Sequence, residues 1–452
     1  MRHHLWVMAL VAGCSKDKPP DAKPTVTSAL EDGGAQRSVR DVDAAPAPSI
    51  PKNANVVLIS IDCLRADMPW AGYPRDIAPN LTKLAARAVM FTHAYSMSSY
   101  TSMSLGGFLG GKLPSEMKRD GYFFSAYAKE NLMFPEALQS AGVHTVAAHA
   151  HGYFKDAGFS QGFDEYEVVP NLKWNQFTDE NVTSQDLEPI AERLLSNPKF
   201  DAERFFAWFH FLDPHDMYMT HEGIDWGPKT GKTTRDLYDG EVTYTDRWIG
   251  KLLEFIANKS WAQRTVIVVT ADHGEAFGEH GQFRHGFELW EPLVRVPLFF
   301  VVPGVPPKKI DQPRSAIDMA PTMLDLMGVA KNDAFEGKSL VPEIVGAAKP
   351  EERDVVVDLP KTSDNDKRRA MIHGATKVIA FGDKEYMQVF DLAQDSDEKK
   401  PIQSGEVYED MTKRLRAFEK TITEVPATAC KEGCLWGTHK DPVDAGSEGG
   451  AP

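Results

Sequence analysis

The stretch Thr265-Val266-Ile267-Val268-Val269-Thr270-Ala271-Asp272-His273-Gly274-Glu275 constrains this chain more than any other. A β-branched apolar run of this length reads as a buried strand. It stops abruptly at a carboxylate, an imidazole and a glycine. Asn55-Val56-Val57-Leu58-Ile59-Ser60-Ile61-Asp62 repeats the design and delivers one aspartate. In an open α/β sheet, reactive side chains collect at the carboxyl ends of strands, where the chain leaves the core. Two strand ends presenting Asp62, Asp272 and His273 build an oxygen-and-nitrogen site suited to a hard divalent cation. Gly274 lets the backbone pass close to it.

Strand and helix patterns alternate around these two runs. Strands are predicted over 55–61, 88–94, 143–148, 204–212, 265–270 and 296–302, and helices over 80–88, 101–110, 184–195, 240–257 and 317–327. This alternation predicts an α/β fold with a doubly wound, mostly parallel sheet. From about residue 340 the pattern changes to short strand-like runs at 354–357, 371–381 and 386–390, followed by an amphipathic helix near 406–422. These predict a smaller C-terminal antiparallel sheet with a helix packed on it.

The N-terminus belongs to neither part. Arg2, the short apolar segment Leu5 to Ala12 and then Gly13-Cys14 describe an export signal. Val11-Ala12-Gly13-Cys14 resembles the lipobox of bacterial lipoproteins, which predicts lipidation of Cys14 and a bacterial cell-envelope location. Ser15 after it points to the outer membrane. From Ser15 to about Lys52 there is no aromatic residue, and Pro, Ala, Asp and Ser dominate, as in a flexible tether. The organisation expected is a signal peptide over 1–14, a linker over 15–52, a catalytic domain over 53–340, a C-terminal subdomain over 341–427 and a tail over 428–452.

The balance of 50 basic against 65 acidic residues, net −15, argues against nucleic acid as a partner. No apolar run is long enough to span a bilayer as a helix. Cys430 and Cys434 are close enough to pair in an oxidising compartment. Cys63 follows Asp62, is expected on the opposite face of the strand end, and reads as a buried structural thiol.

Other groups complete the candidate site. Ser98-Ser99-Tyr100-Thr101-Ser102-Met103-Ser104 offers several equivalent hydroxyls before a helix, where the N-terminal field favours an alkoxide or an anion. His215, after Asp213-Pro214, emerges at a strand end as a proton donor or anion contact. His285, flanked by Arg284 and Gly286, suits a phosphate- or sulfate-sized group. His210 lies inside its strand, His280 reads as a solvated loop residue, and the pair His149 and His151 points one way from a strand.

Together Ile59-Ser60-Ile61-Asp62-Cys63-Leu64-Arg65-Ala66-Asp67, Asp213-Pro214-His215, Tyr238-Asp239-Gly240-Glu241, Asp272-His273-Gly274-Glu275, Gly278-Glu279-His280-Gly281 and Ile317-Asp318-Met319-Ala320-Pro321-Thr322 resemble the sulfatase family of the alkaline phosphatase superfamily. The resemblance covers about residues 53–400. It implies metal ligation by Asp62, Asp272 and His273, with Thr101 at the nucleophile position and His215 on the substrate or leaving group; the Thr101 oxygen is expected to bind the metal as well, and His285 with Arg284, read from their own neighbours, to contact the substrate. One divalent cation (Ca²⁺, Mn²⁺ or Mg²⁺) is implied, because Met217 stands where two-zinc members carry a histidine.

The chain departs from the sulfatase signature in one respect that matters. Thr101-Ser102-Met103-Ser104-Leu105 replaces a convertible Cys or Ser and its supporting arginine, so Thr101 cannot become a formylglycine aldehyde. The expected function is a metal-dependent hydrolase of small anionic esters, sulfate or phosphate and phosphonate, with phosphoester chemistry favoured. Two other readings are a phosphoglycerol- or phosphoethanolamine-type transferase and an inactive, sulfatase-like lipoprotein that binds an envelope glycan or partner.

Overall fold

A computed structural model describes residues 48–122, 124–154, 156–173, 181–382 and 386–428. Cys14, the signal segment, most of the linker, and Cys430 and Cys434 in the tail lie outside the described residues.

The central sheet is assembled from β1 (Asn55–Ile61), β2 (Val89–Tyr95), β3 (His144–His149), β4 (Glu165–Val168), β5 (Phe205–Phe211), β6 (Thr265–Ala271), β9 (Arg295–Val301), β10 (Lys308–Ile310) and β11 (Arg314–Ser315). Between β6 and β9 lies a small hairpin, β7 (Ala276–Phe277) and β8 (Phe283–Arg284). The order across the sheet is β10-β2-β9-β6-β1-β5-β3-β4, with β11 also on β2. All pairings are parallel except those of β9 with β2 and β6. Strand β1 runs down the middle in register with both neighbours, Ile61 opposite Phe211 of β5 and Ala271 of β6. Every residue of β1, β5 and β6 is buried, as continuous apolar runs require in a sheet covered on both faces. The register carries Asp62 and Asp272, one residue past β1 and β6, out of the sheet side by side.

The helices are α1 (Pro79–Ala85), α2 (Thr101–Gly110), α3 (Phe134–Ser140), α4 (Ser184–Leu195), α5 (Thr234–Ala257), α6 (Glu291–Val294), α7 (Met319–Leu326), α8 (Val341–Val345) and α9 (Glu406–Glu419). Helix α5 begins six residues before the predicted start, because Thr233 and Asp236 close a reciprocal capping box there. Among the described residues no helix is long and apolar enough to cross a membrane.

The second sheet is antiparallel, β12 (Val355–Leu359), β13 (Arg368–His373), β14 (Thr376–Phe381) and β15 (Tyr386–Asp391), in that order. The run read as one strand over 371–381 is two, turned at Gly374 with φ +56°. Its alternation sorts two faces. Val355, Val357, Ile372 and Ile379 pack toward Trp290 and Leu293, while Val356, Met371, Val378 and Val389 pack on Met411 and Leu415 of α9. Lys377, fully buried, bonds Glu291 Oε1 at 2.9 Å and Glu398 Oε1 at 2.8 Å. This network ties the second sheet to α6, whose carbonyls support the residues after β6.

Candidate active site

Asp272 is fixed by backbone. Its Oδ1 accepts the amides of His273 at 2.9 Å and Cys63 at 3.3 Å, while its carbonyl accepts the Ser104 hydroxyl at 2.5 Å. The buried Oδ2 has no protein hydrogen-bond partner and lies 3.3 Å from His273 Nε2. Asp62 Oδ1 lies 3.7 Å from the same nitrogen. One ligand atom from each of Asp62, Asp272 and His273 falls within 4.8 Å of the others, all three residues being buried. Burial, and then the charge of Asp62, holds the Asp272 carboxyl well above the usual carboxylate range. Two buried carboxylates facing one imidazole, with an orphaned oxygen between them, match the donor set of a divalent cation.

His273 is held as a neutral imidazole with its free nitrogen toward the two carboxylates. Its Nδ1–H donates to the Gly274 carbonyl at 2.9 Å, which leaves the Nε2 lone pair facing the carboxylates. Burial, and then the charge of His285, push its pKa down to about 3. The chain turns here against α6: Gly274 N–H donates to Leu293 O at 2.8 Å and Glu275 N–H to Pro292 O at 3.0 Å. A Cβ on Gly274 would stand 2.1 Å from the Pro292 carbonyl oxygen, so only glycine fits.

Of the hydroxyls before α2, Thr101 is the one that reaches this cluster. Its Oγ1 lies 3.0 Å from His273 Nε2, at the first residue of the helix. Ser104 instead braces the Asp272 backbone, and Ser98 and Ser99 are buried with no partner for their hydroxyls. Leu105 is buried in α2.

The imidazoles of His215 and His285 stand 5.0 Å apart, edge to face, and His285 stands 4.4 Å from His273. Glu275, buried, faces His285 Nδ1 at 3.3 Å and accepts the Tyr218 hydroxyl at 2.8 Å. Burial opposes a charge on His285, but the Glu275 carboxylate outweighs it and raises the pKa. Arg284 bonds Asp216 Oδ2 at 2.8 Å and ties the His285 loop to the His215 loop.

Several expectations need correction. Cys63 does not turn to the opposite face. With φ +56° it leaves the strand geometry, and its thiol donates to Asp62 Oδ1 at 3.1 Å and lies 3.4 Å from His285 Nδ1. His280 is not merely solvated but stacks on Trp290 at 3.9 Å. His151 and His210, left open in sequence, both reach Asp62 Oδ2, at 2.5 and 3.4 Å, whereas His149 is buried with neither ring nitrogen bonded to a side chain. Only the strand register brings these together, so no local sequence signal exposed them. Glu275 was visible beside Asp272 and His273, but its partner His285 is ten residues away. Asp213 faces away and caps α4, accepting Thr183 N–H at 2.6 Å and Ser184 N–H at 2.9 Å. The Tyr238-Asp239-Gly240-Glu241 motif is structural: Tyr238 donates to Cys63 O at 2.9 Å, and Asp239 accepts Tyr73 and Arg75.

Comparison with known proteins gives a consistent result. The family model described as Sulfatase matches residues 54–329, more than half of the chain. The model for the C-terminal part of N-sulphoglucosamine sulphohydrolase matches 278–424. The chain is 25% identical over 371 residues to a sulfatase of Formosa agariphila, covering 64% of this chain and 72% of that protein. It is 23% identical over 379 residues to choline-sulfatase of Rhizobium meliloti, covering 66% and 72%. Its fold matches phosphonate monoester hydrolase of Agrobacterium radiobacter with a TM-score of 0.67 at 18% identity, covering 81% of this chain and 94% of that one. It also matches an alkaline phosphatase superfamily protein of Vibrio parahaemolyticus with a TM-score of 0.62 at 20% identity, covering 84% and 91%.

Proposed function

This chain belongs to the sulfatase family, whose members hydrolyse esters, and we propose that it is a divalent-metal-dependent hydrolase with Thr101 as nucleophile, favouring phosphate or phosphonate esters over sulfates. The observation that carries this reading is the Thr101 hydroxyl 3.0 Å from His273 Nε2, beside the orphaned Oδ2 of Asp272.

Asp62, Asp272 and His273 would hold the cation. When bound, a divalent ion lowers the pKa of a neighbouring hydroxyl and stabilises charge on the ester oxygens. Thr101, its hydroxyl proton passed to solvent water, attacks phosphorus as the bond to the leaving alcohol breaks. His285, whose protonated form the Glu275 carboxylate favours, or His215 beside it supplies the proton that the departing oxygen takes. Water then attacks phosphorus, the Thr101 O–P bond breaks, the water's hydroxyl leaves with the phosphate or phosphonate, and a proton returns to Thr101 Oγ1.

The chemistry of the nucleophile favours phosphorus esters. A formylglycine hydrate expels sulfate by collapsing to a carbonyl, and threonine has no such exit. Phosphothreonine can be opened by water at phosphorus. The shared scaffold with a phosphonate monoester hydrolase adds only a fold-level analogy. Asp213, turned away to cap α4, is not free to serve a second metal, which supports a single cation. Lipidation at Cys14, and with it a tethered place in a bacterial envelope, is part of the same proposal.

The test is a paired assay on p-nitrophenyl phosphate, a p-nitrophenyl phosphodiester, a phosphonate monoester and p-nitrophenyl sulfate. The best phosphorus ester is expected to exceed the sulfate in kcat/KM by about a hundredfold or more, some 2.7 kcal/mol of transition-state discrimination. A sulfate that is the best substrate contradicts the assignment.

A further inference from the structure

Asp62 shows its two oxygens to different neighbours. Oδ1 faces His273 Nε2 across the proposed cation site, and Oδ2 meets His151 Nε2 at 2.5 Å and His210 Nε2 at 3.4 Å. His210 continues inward, because its Nδ1 lies 2.7 Å from Ser60 Oγ, which accepts Trp208 Nε1–H at 2.8 Å. The parallel register sets Ser60 directly opposite His210, so both side chains share one face of the sheet. Trp208, Ser60, His210 and Asp62 are all buried.

Hydrogen counting gives this chain a direction. The Asp62 carboxylate can only accept, so the neutral His210 imidazole carries its hydrogen on Nε2, aimed at Oδ2, and its Nδ1 is left as an acceptor. Ser60 Oγ, which accepts the Trp208 indole N–H, donates its own O–H to that Nδ1.

We propose that the Trp208–Ser60–His210 chain is a positioning device that fixes the Asp62 carboxylate, so that His210 and Ser60 set the affinity of the cation site without touching cation or ester. The inference rests on the reading that Asp62, Asp272 and His273 hold a cation. The physical reason is that a carboxylate held at one oxygen by fixed donors presents the other in a single orientation. Removal of such outer partners typically costs about 10–100-fold in metal affinity.

Calorimetric titration of Mn²⁺ into the metal-free full chain tests it, alongside thermal melts of each metal-free variant. Glutamine reaches the Nε2 position and keeps a donor for Asp62, whereas asparagine reaches only the Nδ1 position. The wild type is expected to bind one equivalent, His210→Gln, which keeps the donor to Asp62 but loses the Ser60 anchor, to bind severalfold more weakly, and His210→Asn to bind about 10–100-fold more weakly while still folded. Ser60→Ala, which frees only the Nδ1 end, weakens binding severalfold and carries the test if His210→Asn does not fold. Wild-type affinity in His210→Asn or Ser60→Ala overturns the proposal, as does equal weakening by Gln and Asn in folded proteins. A second bound equivalent that His210→Asn abolishes overturns it too, since His210, which with Asp62 and His151 forms a group of ligand spacing, would then be a direct ligand. Mn²⁺ that fails to bind the wild type removes the cation site itself, and this proposal with it.

Discussion

Thr101→Ala is expected to lower kcat on the best ester on the order of 10⁴-fold or more, the scale of loss when an attacking side chain is removed. That factor equals about 5.5 kcal/mol of barrier. The fold should survive, because the change removes one hydroxyl and one methyl at the first residue of α2 and leaves that helix otherwise intact. Substrate binding should change little, since His215, His285 and the carboxylates are untouched, so the loss falls on kcat rather than KM. Thr101→Ser, which keeps an attacking oxygen, should retain turnover. Steady-state kinetics on purified proteins with matched melting temperatures decide the matter. Full turnover in Thr101→Ala would remove Thr101 from the chemistry.

Asp272→Asn is expected to separate activity from stability. Without a cation, Asp62 and Asp272 are two buried carboxylates beside one neutral imidazole, and burial together with the charge of Asp62 pushes the Asp272 carboxyl well up. The isosteric amide removes that conflict while keeping an oxygen for the amides of Cys63 and His273. The metal-free variant should therefore melt at or above the metal-free wild type. Added divalent ion should raise the wild-type melting temperature, since at a hundred times Kd a ligand adds about 2.7 kcal/mol. The variant should show no such rise and little turnover. Scanning calorimetry with and without Mn²⁺ reads both effects, and a metal-induced rise of wild-type size in Asp272→Asn contradicts the ligand assignment.

These expectations draw on features of unequal legibility in the sequence. Strands β1, β5 and β6 announce themselves because uninterrupted apolar runs have few other uses, and Ser184–Leu195 is helical over the predicted bounds. Helix α3 is not legible in the sequence, because seven residues with a proline in the first turn carry too little periodicity. The hairpin β13–β14 merged into one run because its tight turn hides between two apolar strands. At the site, Asp62, Asp272 and His273 were legible as strand-end residues, and the register brings them together as expected. Thr101 was one hydroxyl among several until three dimensions set it beside His273. The inward turn of Cys63 depends on a left-handed backbone conformation that a non-glycine residue rarely takes, so strand alternation pointed the wrong way. The convergence of His151 and His210 on Asp62 depends on the pairing of β3, β5 and β1, which nothing local in those segments declares.

The most direct measurement is anomalous diffraction from crystals grown with Mn²⁺. A single peak about 2.0–2.6 Å from Asp62 Oδ1, Asp272 Oδ2 and His273 Nε2, with Thr101 Oγ1 alongside, is the predicted result. A strong peak anywhere else, or none in that cluster at saturating Mn²⁺, would contradict it.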